Sequence, residues 1–258
     1  MKKWLVRILI GLLLAFVVVL TSAFVIEKTD RAVVTKYVEN ENLKTVKPEW
    51  KGVPVDEYGR FVNAEFPFLP KLADLLRWRF SANPQAAEKQ NDKERLQVLD
   101  PNEFLNGDRE GILWLGHASV LLRLAGKTVL LDPVFGEPAF IERYFALPSP
   151  LEKIRRVDYV LITHDHRDHA DEETIKALAQ KFPEAKFLAG LGTEDLLKDW
   201  SVPPDKMQTA GWYQQFDLDD ENLKITFVPV RHWSRRGLTD THAGIGTIAV
   251  VNIFERRD

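Results

Sequence analysis

Apolar positions fall into runs of two kinds along this 258-residue chain. The first is a single unbroken run. Ile8 to Val25 carries no charge and follows the basic start Met1-Lys2-Lys3-Trp4-Leu5-Val6-Arg7. Its length approaches the ~20 residues that cross a bilayer, so it predicts a membrane-targeting segment over residues 1–26. Thr21-Ser22-Ala23 offers a small-residue cleavage site, yet apolar positions continue through Phe24-Val25-Ile26. The expectation is a retained N-terminal transmembrane helix, with secretion after cleavage as the alternative. Lys2, Lys3 and Arg7 then stay cytoplasmic, which puts the remaining chain on the extracytoplasmic, periplasmic side.

The second kind is a series of short β-branched and leucine-rich runs. Residues 27–100 precede it as a mixed, polar extension. There Val53-Pro54 and Phe66-Pro67-Phe68-Leu69-Pro70 exclude a regular helix interior, and the charged stretch Ala87–Leu99 suits a short helix or an exposed link. From Gly111 the pattern predicts strands at Ile112–Leu115, Ser119–Leu124 and Thr128–Leu131, with Ala125-Gly126-Lys127 as a turn. A buried strand over Val157–Thr163 comes next. Asp171-Glu172-Glu173-Thr174 leads into Ile175–Lys181, acidic first and basic last, as a helix and its macrodipole favour. Lys186–Gly190 predicts a strand, Thr193–Trp200 a helix with Thr193 as N-cap, and Lys224–Val230 a further strand. Sheet and helices in this local order indicate an α/β layered fold.

Composition changes little. Hydrophobic residues make up 45% and charged residues 28%, ordinary values for a globular protein. A net charge of −3 argues against a nucleic-acid partner. With no cysteine, disulfides, thiolate ligands and a cysteine nucleophile are all excluded.

Histidine placement changes the picture most. Three of the six histidines lie in His164-Asp165-His166-Arg167-Asp168-His169, straight after the predicted buried strand. Imidazole nitrogen and carboxylate oxygen are ligands zinc prefers. Loops at strand ends are where a rigid scaffold displays reactive groups. His164 and His166, two apart, share one side of an extended segment. Asp168 and His169 follow the turn, so the spacing suits two ions better than one. A polar loop without chemistry accounts poorly for so many ligand types so close together.

Four stretches carry a resemblance to a known family: Trp114-Leu115-Gly116-His117-Ala118-Ser119, Leu131-Asp132-Pro133, Thr163 through Asp171, and Arg231-His232-Trp233-Ser234-Arg235-Arg236-Gly237-Leu238-Thr239-Asp240. Over residues 98 to 240 the chain resembles the metallo-β-lactamase superfamily. Within it, the chain is closest to the N-acyl-phosphatidylethanolamine-hydrolysing phospholipase D-like branch that includes RomA-like bacterial proteins. The resemblance implies an αββα sandwich with a metal site at one sheet edge. It implies that His164, His166 and His232 ligate a first zinc ion. Asp168 and His169 would ligate a second, with Asp168 also the candidate catalytic residue. His117 and Asp132 would position the metal ligands. The implied reaction is hydrolysis of a phosphodiester by a metal-activated hydroxide, on a membrane lipid or a small phosphodiester met at a lipid bilayer. A lactonase-type hydrolase of the same fold is an alternative.

After Asp240 the resemblance stops, and His242 has no counterpart. The family's Gly-Asp pair, whose Asp bridges the metals, and its later histidine do not follow in 241–258. The expectation is therefore a domain at 101–240 with only its first αβ half clearly present, and a non-matching tail at 241–258. On this expectation the chain holds one or two ions, is impaired by truncation or a frameshift, and leaves one sheet face in water. A non-catalytic membrane-anchored remnant or binding protein is the competing class.

Overall fold

The computed structural model describes residues 4, 7–8, 10–14, 33–63, 65, 72–94, 97–138, 142–143, 145–218, 220, 222–230, 232, 234, 236 and 249–252. They fall into two units, Met1–Val33 with Leu69–Lys93, and Val34–Phe68 with Glu94–Asp258.

In the first unit residues 10–14 are helical, and helices α1 (Leu72–Phe80) and α2 (Ala86–Asn91) lie further along the chain. α2 buries none of its residues. Among the described residues no helix is long and apolar enough to cross a membrane. This overturns the expected transmembrane helix, and with it the single-pass periplasmic placement. The described helical stretch falls well short of the ~20 residues a span requires. Leu9 and residues 15–25 of the apolar run lie outside the described residues.

The second unit begins with strands β1 (Val34–Val38), β2 (Lys44–Thr45) and β3 (Val53–Asp56), then the short helix α3 (Asn102–Asn106). Its main sheet has six strands in sequence order: β4 (Gly111–Gly116), β5 (Ser119–Leu124), β6 (Lys127–Leu131), β7 (Tyr159–Leu161), β8 (Lys186–Gly190) and β9 (Met207–Ala210). The first three form an antiparallel meander, as the runs and the glycine turn predict. Ala125 and Gly126 both take positive φ, 49° and 69°, the geometry of a two-residue hairpin turn that matches strand twist. From β6 to β9 all pairing is parallel. Helix α4 (Glu172–Lys181) connects β7 to β8, and α5 (Glu194–Asp199) connects β8 to β9.

Capping sets the helix starts. Asp171 caps α4, its Oδ2 accepting the Thr174 N–H at 2.9 Å. Thr193 occupies the N-cap position of α5 but donates its hydroxyl backward, to the Gly190 carbonyl at 2.7 Å. That bond ties the helix to the end of β8 instead of capping it.

A second sheet runs β12 (Ala249–Asn252), β11 (Ile225–Val228), β10 (Gln214–Gln215) and β2, antiparallel throughout. Side chains alternate across a strand, so strands β5 to β9 feed two cores, while β4 sends Leu113 and Leu115 into one and leaves Ile112 and Trp114 exposed on the other face. Leu130, Val160 and Phe187 pack with Ile175, Leu178, Leu197 and Trp200 on the helix side. Val129, Tyr159, Leu161 and Leu188 pack with Trp212, Phe216, Leu223, Ile225 and Phe227 on the other. The expected bare sheet face is thus corrected: helices, main sheet and second sheet form three layers. The strands of the second sheet are short and drawn from distant parts of the chain, and two of them, β2 and β12, lie outside the expected 101–240 domain.

Candidate metal centre

Both connections that build the site leave carboxyl ends of neighbouring parallel strands, where open α/β sheets bind their ligands. Asp132 follows β6 and His164 follows β7. Asp132 is buried and holds a left-handed φ of 40°. Its backbone is fixed on both sides: Asp132 N–H donates to the Leu161 carbonyl at 2.9 Å, and Ser119 Oγ donates to the Asp132 carbonyl at 2.7 Å.

Around the Asp132 carboxylate a chain of bonds sets the imidazole tautomers. Thr163 donates its N–H to Oδ1 at 2.7 Å and its hydroxyl to Oδ2 at 2.6 Å. The Thr163 oxygen lies 3.0 Å from His164 Nδ1, so His164 donates there and leaves Nε2 with a lone pair. His169 Nδ1 donates to Asp132 Oδ2 at 2.8 Å, which leaves its Nε2 free to ligate.

The three histidines expected at the first ion converge. His164 Nε2 lies 3.0 Å from His166 Nδ1, and His232 Nε2 lies 3.0 Å and 3.1 Å from those two atoms. Donors about 2.0–2.1 Å from one tetrahedral zinc lie roughly 3.3 Å from each other, close to these separations. Burial is the largest cause holding His164 down to about 2, with His169, His166 and His232 adding to it. Burial likewise holds His232 at about 4, helped by His166 and His169 and opposed by Asp168. His166 is also lowered by burial, against Asp165 and Asp168. Three neutral imidazoles facing one point are the donor set a divalent cation needs. His169 differs: burial opposes its charge, but the bond to Asp132 and the charges of Asp132 and Asp168 raise it.

A second group stands beside the first. Asp168 Oδ2 lies 3.7 Å from His169 Nε2 and 2.9 Å from His117 Nε2. The two groups of ligand atoms, His164/His166/His232 and His117/Asp168/His169, are each within 4.8 Å. Sequence reasoning places His117 and Asp132 alike behind the ligands. The structure sets Asp132 there and puts His117 among the ligand atoms.

Other residues hold the site and were not singled out in the sequence. Ser234 Oγ donates to Asp165 Oδ2 at 2.6 Å. Arg236 donates to the Asp165 and Ala170 carbonyls at 2.6 Å and 2.9 Å while its guanidinium lies over the Trp200 ring. The segment bearing His232 is thereby fastened to the loop bearing His164 and His166. Ser234 and Arg236 sit in the family-like stretch, but their roles appear only with their partners. Arg231, Trp233, Arg235, residues 237–240 and His242 lie outside the described residues.

His117 also lines a mainly apolar cavity of about 450 Å³, with Leu99, Ile112, Trp114, Phe145 and Arg143. This size is typical of small-molecule sites. Arg143 is anchored there, donating to the Val134 carbonyl at 2.7 Å and to the Gly136 carbonyl at 2.8 Å. A Cβ on Gly116 would lie 3.3 Å from Arg143 Nη1, and Gly116 has a φ of 97°, so glycine serves both spacing and conformation there.

Residues 127–251 match the family described as Beta-lactamase superfamily domain, a stretch that runs past Asp240 and into β12. An uncharacterized protein of Mycobacterium tuberculosis is 33% identical over 193 residues, covering 70% of this chain and 50% of that protein. The N-acyl-phosphatidylethanolamine-hydrolyzing phospholipase D 1 of Caenorhabditis elegans is 30% identical over 138 residues, 49% of this chain and 39% of that one. A UPF0173 metal-dependent hydrolase of Aeropyrum pernix is 31% identical over 134 residues, 48% of this chain and 52% of its own. The chain spans about half or less of the length of these relatives.

Proposed function

From the premise that the chain carries a beta-lactamase superfamily domain, we propose that it is a zinc-dependent hydrolase of phosphodiesters, acting on lipids of the N-acyl-phosphatidylethanolamine type. The observation that carries the hydrolase reading is the pair of adjacent ligand groups drawn from the loop after β7, the β4–β5 turn and the segment after β11. His164, His166 and His232 would hold one ion, and Asp168 and His169 would contribute to a second. Such ions supply Lewis acidity and a water acidic enough to react at neutral pH.

The chain's own residues do the rest. Asp132 and Thr163 keep His164 and His169 in the tautomers that present Nε2. Asp168, whose charge reaches both His166 and His232, takes the proton of the attacking water. As the P–O bond to the ethanolamine breaks, that proton passes to the leaving alcohol. The products are a phosphatidic acid and an N-acylethanolamine. The lipid class is supported by the apolar cavity beside His117 and by the nematode relative.

The test is product analysis by mass spectrometry on zinc-reconstituted protein with N-acyl-phosphatidylethanolamine in detergent micelles. Phosphatidic acid should form, and His164→Ala should lower the rate by at least about 100-fold. Hydrolysis of lactones with no phosphodiester cleavage would replace the lipid reading by a lactonase. No turnover of either class with ions bound would leave a non-catalytic binding protein.

A further inference from the structure

We propose that His117 is itself a metal ligand, completing a second cation site with Asp168 and His169. This rests on the reading of the centre as a metal site and adds a residue to it. The cation is a divalent ion of the zinc type, since two imidazoles and one carboxylate make a borderline donor set.

Three observations carry the assignment. The first is convergence. His117 Nε2 and His169 Nε2 lie 2.9 Å and 3.7 Å from Asp168 Oδ2, on either side of the roughly 3.3 Å expected between tetrahedral zinc ligands. The second is preparation. His169 Nδ1 is already occupied by Asp132, so the nitrogen facing Asp168 and His117 carries the lone pair. The third is conformation. His117 has a φ of 49°, in the left-handed region, next to Gly116 at 97°. Trp114 Nε1 donates to the His117 carbonyl at 2.9 Å and holds this turn. Such strain in a non-glycine residue costs on the order of 1–3 kcal/mol and persists where the surroundings impose it. Core packing does not explain it, because the His117 side chain keeps 26% of its surface exposed.

A simple hydrogen bond from His117 to Asp168 is the rival explanation, and it differs in one respect. A hydrogen-bonding His117 carries a proton on Nε2, whereas a ligand cannot. Equilibrium dialysis against zinc, with elemental analysis, separates the two. Wild-type protein should hold two ions. His117→Ala should keep one, on His164, His166 and His232, and bind the second more than about 100-fold more weakly. Millimolar imidazole should restore the second ion. The ion that remains reports that the variant is folded. A residue that only orients a ligand typically changes affinity by about 10–100-fold, so a smaller loss than 100-fold overturns the proposal.

A measurement on wild-type protein stands independently of the variant. With ¹¹³Cd bound and histidine ¹⁵N-labelled, His117 Nε2 should show a direct cadmium–nitrogen coupling. Two bound ions without that coupling overturn the proposal. A wild-type protein that holds one ion also overturns it but leaves the hydrolase reading standing. A protein that holds none removes both.

Discussion

At the scale of single residues, the site is an arrangement of proton positions. Asp132 accepts from Thr163 and His169, and through Thr163 it fixes His164, so one buried carboxylate sets two ligand nitrogens. Burial keeps His164 at about 2 and His232 at about 4, against 6.5 for a free imidazole. The unfolded chain therefore binds protons that the folded metal-free chain refuses. The stability that His164 and His232 contribute to the metal-free protein should be complete above pH 6.5 and fall as pH drops from there toward 4 and then 2, by up to about 1.4 kcal/mol per pH unit for each, while the raised His169 acts in the opposite sense above pH 6.5. Urea unfolding of chelated protein at pH 7.5, 6 and 5 measures this; a midpoint unchanged across the series would contradict it. The candidate ligands are legible in the sequence because imidazole and carboxylate are themselves the donor groups and four of them are nearly contiguous. Ser234 and Arg236 are not, since a serine or arginine shows its role only through its partner. Asp165 lies 69 residues from Ser234.

At the scale of elements, the loop 164–171 is held between the end of β7 and the start of α4. The Asp171 cap is the feature that stops it from fraying into the helix. Asp171→Ala should destabilise the protein by about 0.5–2 kcal/mol, read from thermal unfolding, and should loosen the ligand loop. Asp171→Ser should recover most of that loss, since serine caps almost as well. The main-sheet strands β4 to β8 and their helices were legible from apolar, β-branched runs, a glycine turn and acidic helix starts, whereas β9 was not. Of the second sheet only β11, within the expected strand Lys224–Val230, was legible. β2 and β10 are two-residue strands, too short to display any period, and their pairing depends on segments far apart in the chain.

At the scale of the whole second unit, the main sheet is covered on both faces over β5 to β9, and this is where sequence reasoning was most incomplete. Leu188 is fully buried among Val129, Leu161, Phe216 and Phe227 on the face expected to be bare. Leu188→Ala should therefore destabilise the protein by about 2–5 kcal/mol in chemical unfolding. A change within about 0.5 kcal/mol is what an exposed leucine would give, and would mean that this face meets water. The covering layer is also why residues 34–62 belong with the second unit: Val53 is buried in the same core.

The attachment of that early segment bears on how the protein is made. Asn40 and Gln214 exchange hydrogen bonds, the Asn40 N–H to Gln214 Oε1 at 2.9 Å and Gln214 Nε2 to the Asn40 carbonyl at 2.8 Å, across 174 residues of chain. A ribosome adding about 5–20 residues per second leaves roughly 9–35 s between the two halves of this clasp. During that interval β2 has no strand to join, and Val53 lacks Trp212, Phe216 and Phe227, which complete its core. The nascent chain carries an unpaired edge and an exposed apolar surface until Gln214 emerges, which makes residues 34–62 the natural place for a chaperone to hold.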